Sequence, residues 1–202
     1  MRILHVVANP KPAAESASKQ VTEAFFQALK KARCAASIKK VDLHRDPPPF
    51  YSYDEYRNFW YPVFQMNYEP SAAEKKASRY ALKQGKLFND ANVLVITTAM
   101  WNFSVPAILK AWMDQVLSPG LTFTLGPAGV VALHKMKKVI VMTASGGAYD
   151  PEDRRNNLTH QIKAAFGFVQ ITDVDVAWAD GQNPFFYKDC SQRKDKAIQT
   201  AK

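Results

Sequence analysis

Val93-Leu94-Val95-Ile96-Thr97-Thr98-Ala99-Met100-Trp101-Asn102-Phe103-Ser104-Val105-Pro106 decides how this chain is read. Its first part is a short apolar run rich in β-branched residues, the pattern of a strand buried on both faces. Next comes a loop of aromatic and amide side chains. Beyond it, Ile108, Leu109, Trp112, Met113, Val116 and Leu117 recur at helical spacing. Ser104 and Pro106 mark the first turn of that helix, and Pro119-Gly120 stops it. A strand, an exposed loop and a helix in this order form the repeating unit of an open α/β sheet, whose strand C-termini and helix N-termini open onto one crevice. Trp101 and Phe103 offer flat apolar surface there, and Asn102 carries donors and an acceptor. Such a loop suits a planar heterocycle with polar edges.

The same unit recurs on either side. Residues 3–8 read as a parallel strand ended by Asn9-Pro10, and Val21, Ala24, Phe25, Ala28 and Leu29 mark an amphipathic helix after it. A second strand is expected over 36–43, with Pro47-Pro48-Pro49 barring its continuation. In Pro70-Ser71-Ala72-Ala73-Glu74 the spacing of Ser71 and Glu74 is a capping box, so one helix is expected from there to Phe88. Residues 122–125 form a small extended excursion. Further strands are expected over 138–143 and 171–178, with a helix over 157–166 between them and a basic helix at the C-terminus. The segment 50–68 is too aromatic for a plain linker. Its rings either cover the domain's own helices or form a subunit interface or a lid.

This alternation predicts one α/β domain over residues 1–202, a doubly wound five-stranded parallel sheet in the order 2-1-3-4-5 with helices on both faces. In that order three loops converge: 9–18, 99–104 and 144–149. Ser16 and Ser18 precede a helix whose free N–H groups can hold a phosphate without a lysine. Neither the Gly-x-x-x-x-Gly-Lys of a triphosphate loop nor the Gly-x-Gly-x-x-Gly of a dinucleotide fold is present. Ser145-Gly146-Gly147 lets a ring edge approach the backbone closely. Together these features suggest flavin mononucleotide (FMN).

Composition narrows the alternatives. Lys and Arg number 27 against 18 Asp and Glu, a net charge of +9, yet the basic residues are dispersed and no nucleic-acid motif accompanies them. Nucleic acid is therefore not an expected partner. Cys34 and Cys190 form no C-x-x-C pair, and the four histidines lack ligand spacing, so no metal is expected. The apolar run at 3–8 is too short for a signal segment and nothing approaches a membrane span, which points to the cytoplasm.

The run Met100 to Asp114 resembles the flavin loop and following helix of the FMN-dependent NADH-azoreductases and related NAD(P)H quinone reductases of flavodoxin-like fold. Ser16-x-Ser18 is similar to their phosphate loop, Gly120 to Gly126 to the turn after that helix, and Ser145-Gly146-Gly147-x-Tyr149 to their second flavin loop. The resemblance implies a homodimer with FMN at the subunit interface, passing two electrons from NADH or NADPH to a quinone or azo compound by a ping-pong mechanism. It further implies that Asn9, Ser16, Ala17 and Ser18 hold the phosphate end, Met100, Trp101, Asn102 and Phe103 line the ring, and Ser145, Gly146 and Gly147 meet its polar edge. Phe123, Tyr149 and Phe166 would face the substrate, and no acid–base dyad is required. Ala99, Trp101, Asn9 and Ser145 depart from the family's usual Pro, Tyr, Ser and Arg. The competing reading is a flavin-binding electron carrier or redox sensor acting on a protein partner.

Overall fold

The computed structural model describes residues 1–150 and 152–201; Lys202, the end of the basic tail, lies outside them. The chain runs β1 (Arg2–Val7), α1 (Ala17–Lys31), β2 (Ser37–Asp42), α2 (Tyr53–Phe64), α3 (Ala72–Ala77), α4 (Arg79–Asp90), β3 (Val93–Thr97), α5 (Ala107–Val116), β4 (Phe123–Gly126), β5 (Gly129–Ala132), β6 (Lys138–Ala144), α6 (Asn157–Phe168), β7 (Val174–Ala179) and α7 (Cys190–Thr200). Five strands form one sheet in the order β2-β1-β3-β6-β7, and each neighbouring pair is parallel. The expected 2-1-3-4-5 thus becomes 2-1-3-6-7. The excursion after α5 is an antiparallel hairpin, β4 with β5, which stays outside the sheet and takes two numbers.

Alternation along each strand sends side chains to opposite faces, and both faces are covered over the central strands β1, β3 and β6, whereas most of β2 is exposed. Leu4, Val6, Leu94, Ile96, Val139 and Val141 meet Phe88 of α4, Leu109 and Trp112 of α5 and Phe166 of α6. On the other side Ile3, Val95, Met142 and Ala177 meet Val21 of α1 and Ala197 of α7. Strands buried on both faces have few polar positions to spare, which explains their near-continuous apolar runs.

Three local expectations change. Ser104 does not cap α5: its hydroxyl donates to Gln161 Oε1 at 2.9 Å, and Pro106 stands at the N-cap. The helix expected from Ser71 to Phe88 breaks at Ser78, whose hydroxyl donates to the Glu74 carbonyl at 2.9 Å and competes with the helical ladder. The aromatic segment contains a helix, α2, started by a second capping box formed by Ser52 and Glu55. Phe59 is buried, and Trp60 packs edge-on against Phe123 with ring centroids 6.3 Å apart.

An ion pair latches α2 to α3. Glu74 Oε1 accepts from Arg57 Nε at 2.5 Å and from the Tyr68 hydroxyl at 2.8 Å, while the guanidinium lies 4.6 Å from the Tyr61 ring centroid. The hydrogen bond from Arg57, aided by the Ser71 amide, holds the Glu74 carboxyl down to about 2 from its ordinary 4.5. Since the folded value is the lower one, the latch stabilises the fold fully above pH 4.5 and loses that contribution as pH falls toward 2. Trp60 fluorescence should therefore report loosening of α2 in that window, and Glu74→Gln should remove this component of the titration.

Candidate cofactor crevice at the sheet switch point

The strand order reverses between β1 and β3, and there the loops after β1, β3 and β6 enclose a cavity of about 430 Å³. Of the residues expected to bind a cofactor, Asn9, Ser16, Ala17, Met100, Trp101, Ser145 and Gly146 line it. Ser18, Asn102, Phe103 and Gly147 lie beside these in sequence but outside the lining.

At one end, the buried Asn9 amide donates to Ser16 Oγ and to Ser18 Oγ, both at 3.0 Å, and its carbonyl oxygen accepts from the Lys11 amide at 3.0 Å. Ser16 caps α1, its hydroxyl oxygen accepting from the Lys19 amide at 3.3 Å. With its lone pairs engaged in this way, Ser16 Oγ points its hydrogen at Ser18 Oγ, 3.3 Å away, and can turn it to an anion that enters the crevice. The Ala17 and Ser18 amides precede the first turn's ladder, which opens with Gln20 N–H to Ser16 O, and they donate to no protein group among the described residues. Hydroxyl hydrogens, free amides and the positive end of a helix make an anion cradle.

The loop after β3 is a tight turn. Trp101 and Ser104 exchange both backbone hydrogen bonds at 3.0 Å, and Asn102 and Phe103 between them have φ of +46° and +67°. Asn tolerates that region, but for Phe it costs on the order of 1–2 kcal/mol. The strain is held by α6, since the Phe103 carbonyl accepts from the Asn157 amide at 3.0 Å. Trp101 and Phe103 are thereby kept about half exposed at the mouth.

The third loop is pinned from behind. Carbonyls of Ser145, Gly146 and Gly147 accept from the amides of Gln182, Asn183 and Gly181 at 2.9, 3.2 and 2.9 Å, and Trp178 Nε1 donates to Ser145 Oγ at 2.9 Å. The Gly146 and Gly147 amides have no protein acceptor among the described residues. A Cβ at Gly147 would stand 2.5 Å from the Tyr149 hydroxyl, so this backbone cannot carry a side chain without moving Tyr149.

The expected substrate-facing residues separate. Tyr149 is near the mouth, edge-on to Phe103 with centroids 6.2 Å apart. Phe123 and Phe166 are 1% and 0% exposed and belong to the core, packed on Phe168 and Phe88, so the substrate-facing role expected of them is withdrawn. Sequence reasoning missed Gln182 and Lys194, which also line the cavity. Lys194 reaches it because α7 packs on α1, where its ammonium donates to Gln20 Oε1 at 2.7 Å. A basic residue one helix beyond the last strand carried no local signal.

An anion cradle at Ser16 to Ser18, an apolar floor at Met100 and Trp101 and free amides at Gly146 and Gly147 are the kind of donor set that FMN would need.

A family described by its flavodoxin-like fold matches residues 1–202. The chain is 34% identical over 192 residues to an FMN-dependent NADH:quinone oxidoreductase of Azotobacter vinelandii, covering 92% of each chain. It is 33% identical over 177 residues to another of that description from Coprothermobacter proteolyticus, covering 87% of this chain and 84% of the relative. An azoreductase of Bacillus anthracis superposes with a TM-score of 0.86 at 25% identity, over 99% of this chain and 96% of that one. The chain belongs to the flavodoxin-like family that contains the FMN-dependent NADH:quinone oxidoreductases and azoreductases.

Proposed function

We propose that this protein is an FMN-dependent oxidoreductase that takes two electrons from NADH or NADPH and passes them to a quinone or azo acceptor in ping-pong order. One observation carries the reading. Unpaired backbone donors of Ala17 and Gly146 line the crevice, those of Ser18 and Gly147 follow directly in sequence, and the apolar surface of Met100 and Trp101 lines the same cavity. FMN supplies two-electron chemistry when bound, and the chain's own residues bind, orient and shield it. Asn9, Ser16, Ala17 and Ser18 would hold the phosphate, with Lys194 adding positive potential. Met100, Trp101, Asn102 and Phe103 would cover the ring, and Ser145, Gly146 and Gly147 would meet its polar edge. Trp101, with Phe103 and Tyr149 edge-on to each other, would offer aromatic surface to a flat acceptor. No side chain is required to move a proton.

Residues 1–202 would act as one unit and pair as a homodimer. In support, Phe50, Tyr53, Phe64 and Met66 are exposed around α2, beside a cavity of about 340 Å³ that Trp60, Met113 and Leu117 help to line. The two cysteines are unbridged, in keeping with a reducing cytoplasm.

The test is optical. The purified protein should show a flavin spectrum that bleaches on anaerobic addition of NADH or NADPH and returns with a quinone; a fully loaded flavin that stays unbleached would overturn the enzyme reading. Phe185 and Phe186, 82% and 70% exposed beside the crevice loop, favour the electron-carrier reading as the second choice. That reading gains if the flavin ignores nicotinamides and takes single electrons from a protein donor.

Asn102 separates side chain from backbone. Asn102→Gly should weaken FMN retention several-fold by losing one polar contact, with the turn intact. Asn102→Ala adds a strained φ of +46°, about 1 kcal/mol, and should weaken it several-fold further. Equal FMN affinity in all three proteins would refute the role.

A further inference from the structure

The far side of α1 carries a second cavity, of about 440 Å³. Where α1 turns Ala17 and Gln20 toward the cofactor crevice, it turns Lys19, Thr22, Glu23 and Phe26 toward β2. Those four follow the i, i+3, i+4, i+7 spacing of one helix face. Ile38, Lys40 and Asp42 share a face of β2, and the parallel register sets them beside Ile3, His5 and Val7 of β1. α7 packs against α1 and β7 at the opposite edge, so Ile38 remains 48% exposed.

At the floor lies His5, only 7% exposed, whose hydrogen bonding can be worked out from its neighbours. The Thr22 hydroxyl donates to the Ser18 carbonyl at 2.8 Å. Its contact with Thr97 Oγ1 at 2.7 Å must then be a donation from Thr97, and the 2.8 Å contact between Thr97 Oγ1 and His5 Nε2 must be a donation from the imidazole. The proton therefore resides on Nε2. Burial, with Lys40 nearby, pushes the His5 pKa down to about 4, so the ring is neutral at pH 7 and Nδ1 keeps a lone pair. Among the described residues Nδ1 has no partner. Nδ1 is not sealed from solvent, so its lone pair is open to a ligand that enters the groove or to water.

The walls add to the specification. Phe26, its ring centroid 5.0 Å from the imidazole, and Ile38 are apolar. Asp42 is engaged by the His44 amide at 3.0 Å and by Arg45 at 4.0 Å, and the Lys19 ammonium donates to the Lys11 carbonyl. Lys40 has no carboxylate within ion-pair distance among the described residues.

We propose that this groove is a second small-molecule site, which takes an aromatic acid whose hydrogen-bond donor is accepted by His5 Nδ1 and whose anionic group meets the Lys40 ammonium. Its ring would lie between Phe26 and Ile38. α1 is the common wall of this groove and the cofactor crevice, but the proposal does not depend on what the crevice binds.

4-Hydroxybenzoate is a suitable probe and benzoate its donorless control, each titrated into uniformly ¹⁵N-labelled protein with FMN in excess to occupy the crevice. Saturable binding is expected, about tenfold tighter for 4-hydroxybenzoate, together with movement of the His5 Nδ1 resonance as it accepts a hydrogen bond. Lys40→Gln, on the exposed rim, should weaken both acids several-fold and preserve their ratio. His5→Phe should bring the ratio to one. Equal affinity of the two acids for the unaltered protein, an unmoved His5 Nδ1, or perturbation confined to Trp101 and Gly146 would overturn the proposal.

Discussion

Asn9→Ala is expected to weaken FMN binding by about two orders of magnitude, the largest loss expected from any single change in the crevice. The amide of Asn9 fills an acceptor site on each of two serine oxygens, at 3.0 Å, and so orients two hydroxyls, themselves 3.3 Å apart, that can turn their hydrogens to an anion in the crevice. Without it both hydroxyls can turn toward other partners, and the Lys11 amide loses its acceptor. Two misdirected bonds to a charged phosphate, at about 1.5 kcal/mol each, sum to about 3 kcal/mol, or roughly a hundredfold in Kd. Equilibrium titration by flavin fluorescence measures this directly. A Kd within threefold of the parent would show that the helix amides hold the phosphate without help from the serines.

Trp112→Ala should produce the largest loss of stability. The indole is fully buried between α5 and the sheet, and its Nε1 donates to Gln84 Oε1 at 3.3 Å. Truncation leaves a large void worth about 3–5 kcal/mol, and it strips the partner from a buried amide whose Nε2 already has none, adding about 1 kcal/mol or more. At roughly 2–4 °C per kcal/mol for a chain of this size, Tm should fall by 10 °C or more. Trp112→Phe keeps most of the packing and should fall by less than half as much; equal losses would mean that the void is not what matters.

How much of this was legible in the sequence depended on the range of the signal. The parallel strands showed themselves because burial on both faces demands unbroken apolar runs such as Val93 to Thr97. Asn9, Ser16, Met100, Trp101 and Gly146 could be placed because strand ends in an open sheet must meet at its switch point. α2 was missed although Ser52 and Glu55 carry the same capping spacing as Ser71 and Glu74, because its aromatic residues hid the helical period. Phe123 and Phe166 were assigned by resemblance alone. Nothing local distinguishes a core ring from a slot ring, and only the packing of Phe123 on Trp60 and Phe168 decides between them. Lys194 depends on how α7 docks, a contact between residues far apart in sequence that no short window contains.

The outer rim of β2 has a consequence for how the protein behaves in crowded solution. β2 is the terminal strand of the sheet, so one side of its backbone has no neighbouring strand and could template foreign polypeptide. Lys39 and Lys40 sit side by side along that rim and point to opposite faces. Two copies aligned rim to rim would bring ammonium groups together on whichever face they met. Self-annealing into filaments is thus opposed by charge at one of the sheet's two open edges.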